Sequence, residues 1–169
     1  MTSIKNLAQA KKQLRSFANP SKAIFLKRFF KTGPGEYAEG DRFLGAMVPQ
    51  TRKVAKLAYG LSFKEVTQLL KSPIHEERLL ALFVLNERSK KNEAEQKRIV
   101  ALYEKHMKYV NNWDLVDCSA PYLYGGFLLS KSRKRLYTLA RSKNLWKRRI
   151  SIITTFRFIK EDDFKDTLS

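Results

Sequence analysis

Residues 62–85 read SFKEVTQLLKSPIHEERLLALFVL and contain two successive helical patterns. Ser62 and Glu65 have the spacing of a capping box, in which each side chain satisfies a backbone N–H of the first helical turn. Large apolar residues then recur every three or four positions, as on an amphipathic helix. Ser72-Pro73 interrupts this pattern and starts a second helix, because proline is accepted in a first helical turn. The stretch therefore predicts two helices joined by a short turn.

The same signals recur on both sides of this pair. Upstream, the predicted helices are an apolar stripe from Ile4 to Phe17, a helix from Asn19-Pro20 to about Lys31, and a short helix from Pro49 to Gly60. Downstream, helices are predicted after Asn92, after Asn112, at about 132–141, at about 144–159, and from Asp162 or Asp163 onward. Pro121 should kink or shorten the helix that Asn112 caps, and Gly125-Gly126 should end it. No strand alternation of useful length occurs, so the chain is predicted to be all-α, with helices stacked in pairs.

The bulk composition indicates a polyanionic partner. The 169 residues suit one domain, and the formal net charge is +18. Such a charge is typical of nucleic-acid or anionic-membrane binding, and a highly charged surface without such a partner is the plainer alternative. Cys118 is the only cysteine, which fits a reducing, cytoplasmic compartment. No apolar run is long enough for a membrane span.

Positive charge is concentrated in the last third of the chain. Between Cys118 and Lys160 there are eleven cations and no acid, so Asp117 is the last carboxylate before a segment of one sign. Phosphate is the natural counter-charge for such a segment. A membrane surface competes as an interpretation, because residues 144–160 are cationic and amphipathic. The apolar face of that helix is needed for a helical core, however, which favours nucleic acid.

Several short motifs of the chain do not indicate a catalytic or metal site. His75 to Leu79 reads HEERL, which lacks the second histidine of a zinc helix. The loop with Gly33, Gly35 and Gly40 lacks the lysine of a phosphate loop. Ser119 and Cys118 are expected to be structural residues, and no metal or cofactor is expected.

Trp113 and Asp117 are four residues apart and share one helix face. Asp114 lies in the first helical turn, where a carboxylate offsets the helix dipole, but Asp117 lies beyond it. One interpretation is a surface salt bridge from Asp117 to an arginine, with Trp113 as a core residue. The other is a carboxylate beside an aromatic wall that stabilises positive charge, as on a sugar losing its base.

The ordered motifs of this chain resemble those of the AlkD-like DNA alkylation repair enzymes. They are NPSKA (19–23), FLGAMVPQTRK (43–53), SPIHEERLLAL (72–82), NNWDLVDCSAPYLYG (111–125), NLWKRR (144–149) and FKDTLS (164–169). The resemblance implies a right-handed stack of antiparallel helix pairs, a HEAT-like or armadillo-type α-α superhelix, here as a single domain over residues 1–169. It also implies a DNA glycosylase of base excision repair that hydrolyses the N-glycosidic bond of cationic N3- or N7-alkylated purines in double-stranded DNA.

The same resemblance implies roles for individual residues. Trp113 packs against the deoxyribose, and Asp117 stabilises the oxocarbenium-like sugar or positions water, while Arg149 contacts a backbone phosphate. Further DNA contacts are expected from Arg148, Lys147, Lys143 and Phe29, the last at a position where the family often has tyrosine. A cytoplasmic monomer without cofactor or membrane attachment is expected.

One feature departs from the family pattern. The family carries another active-site tryptophan in a later repeat, and neither Trp113 nor Trp146 matches that position. The expectation is therefore a C-terminally shortened relative that lacks the final repeats. The alternative function is a non-catalytic HEAT-like module that binds a DNA or RNA backbone or a protein partner. The missing final repeats favour this module, whereas the retained Trp113, Asp117 and Arg149 favour the enzyme.

Overall fold

Side-chain caps fix where several helices begin. A computed structural model describes residues 3–168 of the chain. In it, Asn6, Asn19, Ser62, Asn92 and Asn144 each accept a hydrogen bond from a backbone N–H three residues further on. These bonds satisfy N–H groups that the helix itself leaves without an acceptor. The predicted capping box of Ser62 and Glu65 is confirmed in both directions.

The described residues form ten α-helices. In chain order these are α1 Leu7–Arg15, α2 Pro20–Phe29, α3 Val48–Leu57, α4 Phe63–Leu70, α5 His75–Arg88, α6 Glu93–His106, α7 Trp113–Asp117, α8 Gly126–Leu128, α9 Lys134–Ala140 and α10 Leu145–Ile159. A 3₁₀ turn, Met107–Tyr109, follows α6, and a π-helical turn, Pro121–Gly125, leads into α8. Within residues 3–168 the only extended pairing is an isolated bridge between Arg42 and Ile74. The all-α prediction is confirmed.

The chain divides after Arg88 into two compact units. The first contains α1 to α5, and α5 packs against both α3 and α4. The second contains α6 to α10, and α10 packs against α7, α9 and the π-helical turn. The extent of a single domain over residues 1–169 stays a prediction.

In the first unit, α5 is buried along almost its whole length. Every residue from His75 to Asn86 is buried, including four charged or titratable side chains in its first turn. Burial of such groups is costly unless each has a partner, so the first turn of α5 must be matched by its surroundings. Glu76 accepts hydrogen bonds from the backbone N–H groups of Leu44 and Gly45, and Glu77 pairs with Lys11 and Arg15 of α1.

Gly45 explains why the loop before α3 can lie so close to α2. Its φ is +83°, and a Cβ there would lie 2.2 Å from the carbonyl oxygen of Asn19. A larger residue would therefore have to displace the start of α2. Gly45, in the FLGA motif, therefore contacts both the capping residue of α2, Asn19, and, through Glu76, the first turn of α5.

In the second unit, Gly125 allows the π-helical turn to approach α10. A Cβ on Gly125 would lie 2.8 Å from the carbonyl oxygen of Thr154 and 2.6 Å from Cβ of Arg157. On α10, Ile150, Ile153 and Phe158 are buried, and the helix packs against both α7 and the π-helical turn. This packing holds α7 and α10 together and so determines which of their side chains meet.

Three details of the sequence-based expectation are wrong. Asn112 occupies the cap position of α7, but its side chain makes no capping hydrogen bond. Gly125-Gly126 does not end the helix, since α8 continues to Leu128. No helix begins at Asp162 or Asp163; turns follow α10, and Asp162 has a φ of +56°, while Ser169 lies outside the described residues.

Candidate active site and nucleic-acid interface

The short helix α7 carries both residues of the Trp113–Asp117 pair. Trp113 is its first residue and Asp117 its last, so the two side chains follow each other along one face, a turn apart. Both are partly exposed, whereas Leu115 and Val116 on the same helix are fully buried. The pair therefore lies at the surface of the second unit and is held there by a buried helix face.

The carboxylate of Asp117 is bound by Arg149 from α10. The Nε of Arg149 donates to Oδ1 of Asp117 at 2.9 Å, and its Nη2 donates to Oδ2 at 2.7 Å. Two parallel hydrogen bonds of this kind fix both the position and the plane of a carboxylate. About a third of each side chain remains exposed, so solvent or a ligand can reach the pair.

The ion pair also affects the guanidinium. The hydrogen bond to Asp117 raises the pKa of Arg149 above its usual value, and partial burial opposes this increase. Nη1 of Arg149 takes no part in the two bonds to Asp117. Arg149 can therefore hold the carboxylate with one edge while another edge binds a phosphate oxygen.

The cations of the acid-free segment fall into two groups. Five pair with carboxylates from outside it: Lys131 with Glu93, Arg133 with Asp163 and Asp166, Arg135 with Glu104, Arg149 with Asp117, and Arg157 with Glu161. The others make no ion pair with any residue between positions 3 and 168: Lys134, Arg141, Lys143, Lys147, Arg148 and Lys160. Fewer charges are unbalanced than the sequence suggests, and most of these lie between Arg141 and Arg148.

The start of α10 gathers this unbalanced charge. Lys143, Lys147 and Arg148, which have no ion pair within residues 3–168, and the Asp117-paired Arg149, hereafter the α10 basic cluster, surround the first turn of a 15-residue helix that has no acid there. Positive side chains at a helix N-terminus oppose the helix dipole and are unfavourable unless an anion binds. Nη1 of Arg148 donates to the carbonyls of Ser142 and Lys143 at 2.9 and 3.0 Å, which orders this end of the helix.

Phe29 is the last residue of α2 in the first unit, whereas the other predicted site residues lie in the second. Its side chain is 51% exposed, and its ring stacks on Phe25 at 5.8 Å. Ile24 and Phe25 on the same helix are also exposed. Phe29 is thus accessible, as a DNA contact requires.

The HEER motif has a structural role that sequence reasoning missed. Glu76 and Glu77 bind the loop before α3 and helix α1, and Arg78 donates to Asp41 Oδ2 at 2.6 Å. Nothing local predicts these partners, because they lie more than 30 residues away. The structural interpretation of Ser119 agrees with its surroundings, since its buried Oγ donates to the carbonyl of Leu115 at 2.6 Å.

These features define an all-α protein of packed helix pairs with an aromatic–carboxylate pair next to a cationic helix terminus. Its sequence matches the family described as DNA alkylation repair enzyme over residues 10–169. The chain belongs to this family, and its role lies in DNA alkylation repair. No curated protein sequence matches it significantly. No helix within residues 3–168 combines the length and apolarity of a membrane span.

Proposed function

We propose that the chain is a DNA glycosylase that removes cationic N3- or N7-alkylated purines from double-stranded DNA. The observation that carries this proposal is the carboxylate of Asp117, fixed by two hydrogen bonds from Arg149 next to the α10 basic cluster. A fixed, partly exposed carboxylate within a cationic surface is suited to a ligand that combines phosphates with one centre of developing positive charge.

The reaction requires little beyond charge stabilisation. As the bond between C1′ and the purine nitrogen breaks, its electron pair goes to the alkylated base, which leaves as a neutral molecule. Positive charge then develops on the deoxyribose, and Asp117 stabilises it. Water adds to C1′ and loses a proton to the solvent, which leaves an abasic site.

The remaining site residues bind and orient the DNA in this proposal. Trp113, one helical turn from Asp117, provides an aromatic wall for the sugar. Lys143, Lys147 and Arg148 bind phosphates around the lesion, together with the unused edge of Arg149. Phe29 contributes an exposed ring from the first unit.

The Asp117–Arg149 pair also supports a second candidate. An arginine that neutralises Asp117 makes the carboxylate less effective toward a developing cation, as a purely structural surface ion pair would be. In that case the chain is a non-catalytic module that binds a nucleic-acid backbone or a protein partner through the same basic cluster.

Release of 7-methylguanine from alkylated duplex DNA separates the two candidates. We expect release by the natural chain and a loss of about 100-fold or more in Asp117→Asn, which keeps the shape but removes the charge. Asp162→Asn is the matched control, because Asp162 is exposed in the same unit and asparagine tolerates its left-handed backbone. Equal release by the natural chain and Asp117→Asn would reject the role of Asp117. Absence of release from both, with salt-sensitive DNA binding retained, would favour the non-catalytic module.

A further inference from the structure

A cavity of about 210 Å³ lies between α3 and α5 in the first unit. Its lining contains two cations of α3, Arg52 and Lys56, and three residues of α5, Phe83, Asn86 and Glu87. The cavity is smaller than the roughly 300–1,000 Å³ typical of pockets for drug-sized molecules, so it suits a single small group. None of these residues has a part in the site on α7 and α10.

Arg52 is held in place by stacking. Its guanidinium carbon lies 4.2 Å from the centre of the Phe83 ring, which is itself 2% exposed and so rigidly packed. A cation above an aromatic face is attracted by the negative charge density of the ring. The guanidinium plane is therefore oriented before any ligand arrives.

The hydrogen-bonding capacity of Arg52 is unused. It makes no hydrogen bond and no ion pair with any residue between positions 3 and 168. Two other stacked arginines differ in this respect. Arg88 lies 4.2 Å from the Phe63 ring and donates to the carbonyl of Leu61, and Arg133 lies 3.8 Å from the Phe158 ring and pairs with two carboxylates. An oriented guanidinium without an acceptor is arranged for a ligand that provides one.

The lining charge indicates the class of that ligand. Arg52 and Lys56 are four residues apart on α3 and share a face, while Glu87 contributes one carboxylate. Two cations and one anion leave a single positive charge, which matches the single negative charge of a phosphodiester. The planar fork of a guanidinium also fits the two unbridged oxygens of that group.

We propose that this cavity is a phosphodiester-binding site, in which Arg52 donates to the phosphate and Lys56 supplies a second cation. Through it the first unit holds the backbone of a nucleic acid, in addition to the α10 basic cluster of the second unit. This inference rests on the proposed function only in taking duplex DNA as the polymer.

The test is the salt dependence of binding to an unmodified, fluorescently labelled duplex, measured by anisotropy. Loss of one phosphate contact in Arg52→Ala should reduce the slope of log K against log salt by about 0.9. It should also weaken binding about tenfold at low salt. Lys53→Ala removes the same charge from the next position of α3, outside the cavity, and should change both quantities much less. Far-UV circular dichroism spectra at the temperature of the titrations should show the same helix content for both variants and the natural chain, since Arg52 and Lys53 are exposed.

Two comparisons decide the outcome. Indistinguishable slopes and affinities for Arg52→Ala and Lys53→Ala would overturn the proposal. Inorganic phosphate, compared with chloride of equal ionic strength, should weaken duplex binding by the natural chain more than by Arg52→Ala, because it competes for the cavity, and equal weakening of the two would also overturn the proposal.

Failure of the proposed function is distinguishable from failure of this site. If the natural chain releases no 7-methylguanine but Arg52→Ala loses duplex affinity as expected, the phosphodiester site is supported and the glycosylase is rejected. If the natural chain releases the base and Arg52→Ala binds like Lys53→Ala, the opposite holds.

Discussion

Arg149 has two opposed effects on Asp117. Its two hydrogen bonds hold the carboxylate in one orientation. Its positive charge, however, partly neutralises the carboxylate, whose negative charge is what would stabilise a positively charged sugar. The balance is shifted when a phosphate binds the other edge of the guanidinium, because the cation then serves two anions. Under the proposed function, orientation by Arg149 would therefore contribute to catalysis most when DNA is bound.

Arg149→Lys tests this role at the level of one residue. Lysine retains the charge but not the planar fork, so Asp117 loses its fixed orientation. We expect base release to fall about tenfold, equivalent to ~1.4 kcal/mol of transition-state stabilisation. Arg148→Lys is the control, since Arg148 donates to backbone carbonyls and not to a carboxylate. Equal rates for both variants in single-turnover release of 7-methylguanine would contradict the role of the fork.

The pKa of Asp41 makes the stability of the first unit depend on pH. Burial alone would raise the pKa of Asp41, but hydrogen bonds from His75 and Arg78 outweigh burial and lower it. A carboxylate with a lowered pKa stabilises the folded chain above its unfolded pKa of about 3.9, and this contribution is lost as pH falls through the folded value.

Asp41→Asn should therefore be destabilising at neutral pH and progressively less so in acid. Removing this partner leaves Arg78 buried without its carboxylate, which costs about 3–5 kcal/mol. Urea unfolding followed by far-UV circular dichroism at pH 7 and in steps below pH 4 (roughly the unfolded pKa) should show the difference from the natural chain narrowing. A difference that stays constant over that range would show that Asp41 does not stabilise the fold through its charge.

For individual side chains, the local sequence predicts the helix face but not the long-range partner. The four-residue spacing of Trp113 and Asp117 was enough to predict a shared helix face. The partner of Asp117 was not predictable from spacing, because Arg149 is 32 residues away. Glu76 is a similar case, since its acceptor role depends on the loop of Leu44 and Gly45. Local spacing determines which side chains share a helix face, while tertiary packing determines which distant residue each of them contacts.

At the scale of elements, Pro121 and Gly125 illustrate the same limit. Proline lacks the N–H that an α-helix needs from its interior, so an interruption near Pro121 was predictable. Gly125 was expected to end the helix, yet it is used for close contact with α10. A glycine that ends a helix and a glycine that allows two backbones to approach look alike in one sequence.

Arg133 makes two of the side-chain contacts that hold the segment after α10. Arg133 stacks on Phe158 and pairs with Asp163 and Asp166, while the hydroxyl of Tyr137 donates to Asp166 at 2.8 Å. These long-range contacts hold residues 161–168 in turns, which explains why the predicted helix at Asp162 or Asp163 does not form.

Arg133→Ala should release this segment without unfolding α10. Limited trypsin digestion followed by mass spectrometry should then show cleavage after Lys160 or Lys165 about fivefold faster, because cleavage follows the population of the open segment. Arg135→Ala is the matched control, since Arg135 pairs with Glu104 and not with the segment. Equal cleavage rates in the two variants would show that the segment is held by other contacts.

At the scale of the whole molecule, positive charge is shared equally between the two units. Residues up to Arg88 include 16 Lys and Arg against 7 Asp and Glu, and residues from Ser89 onward include 18 against 9, so each unit carries a formal charge of +9. Total charge alone would therefore attract DNA to both units alike. Local arrangement differs, because the α10 basic cluster lies at a helix N-terminus without a nearby acid in its first turn.

Two triple variants separate total charge from its arrangement. Combining Lys143→Gln, Lys147→Gln and Arg148→Gln removes three proposed phosphate contacts, so the slope of log K against log salt should fall by about 2.7. Combining Lys12→Gln, Lys64→Gln and Lys71→Gln removes the same charge from exposed positions of the first unit and should reduce the slope by less than about 1. Anisotropy titrations of one duplex over a range of salt concentrations measure both. Equal reductions would mean that the chain attracts DNA through net charge alone, and the α10 basic cluster would then have no special part in binding.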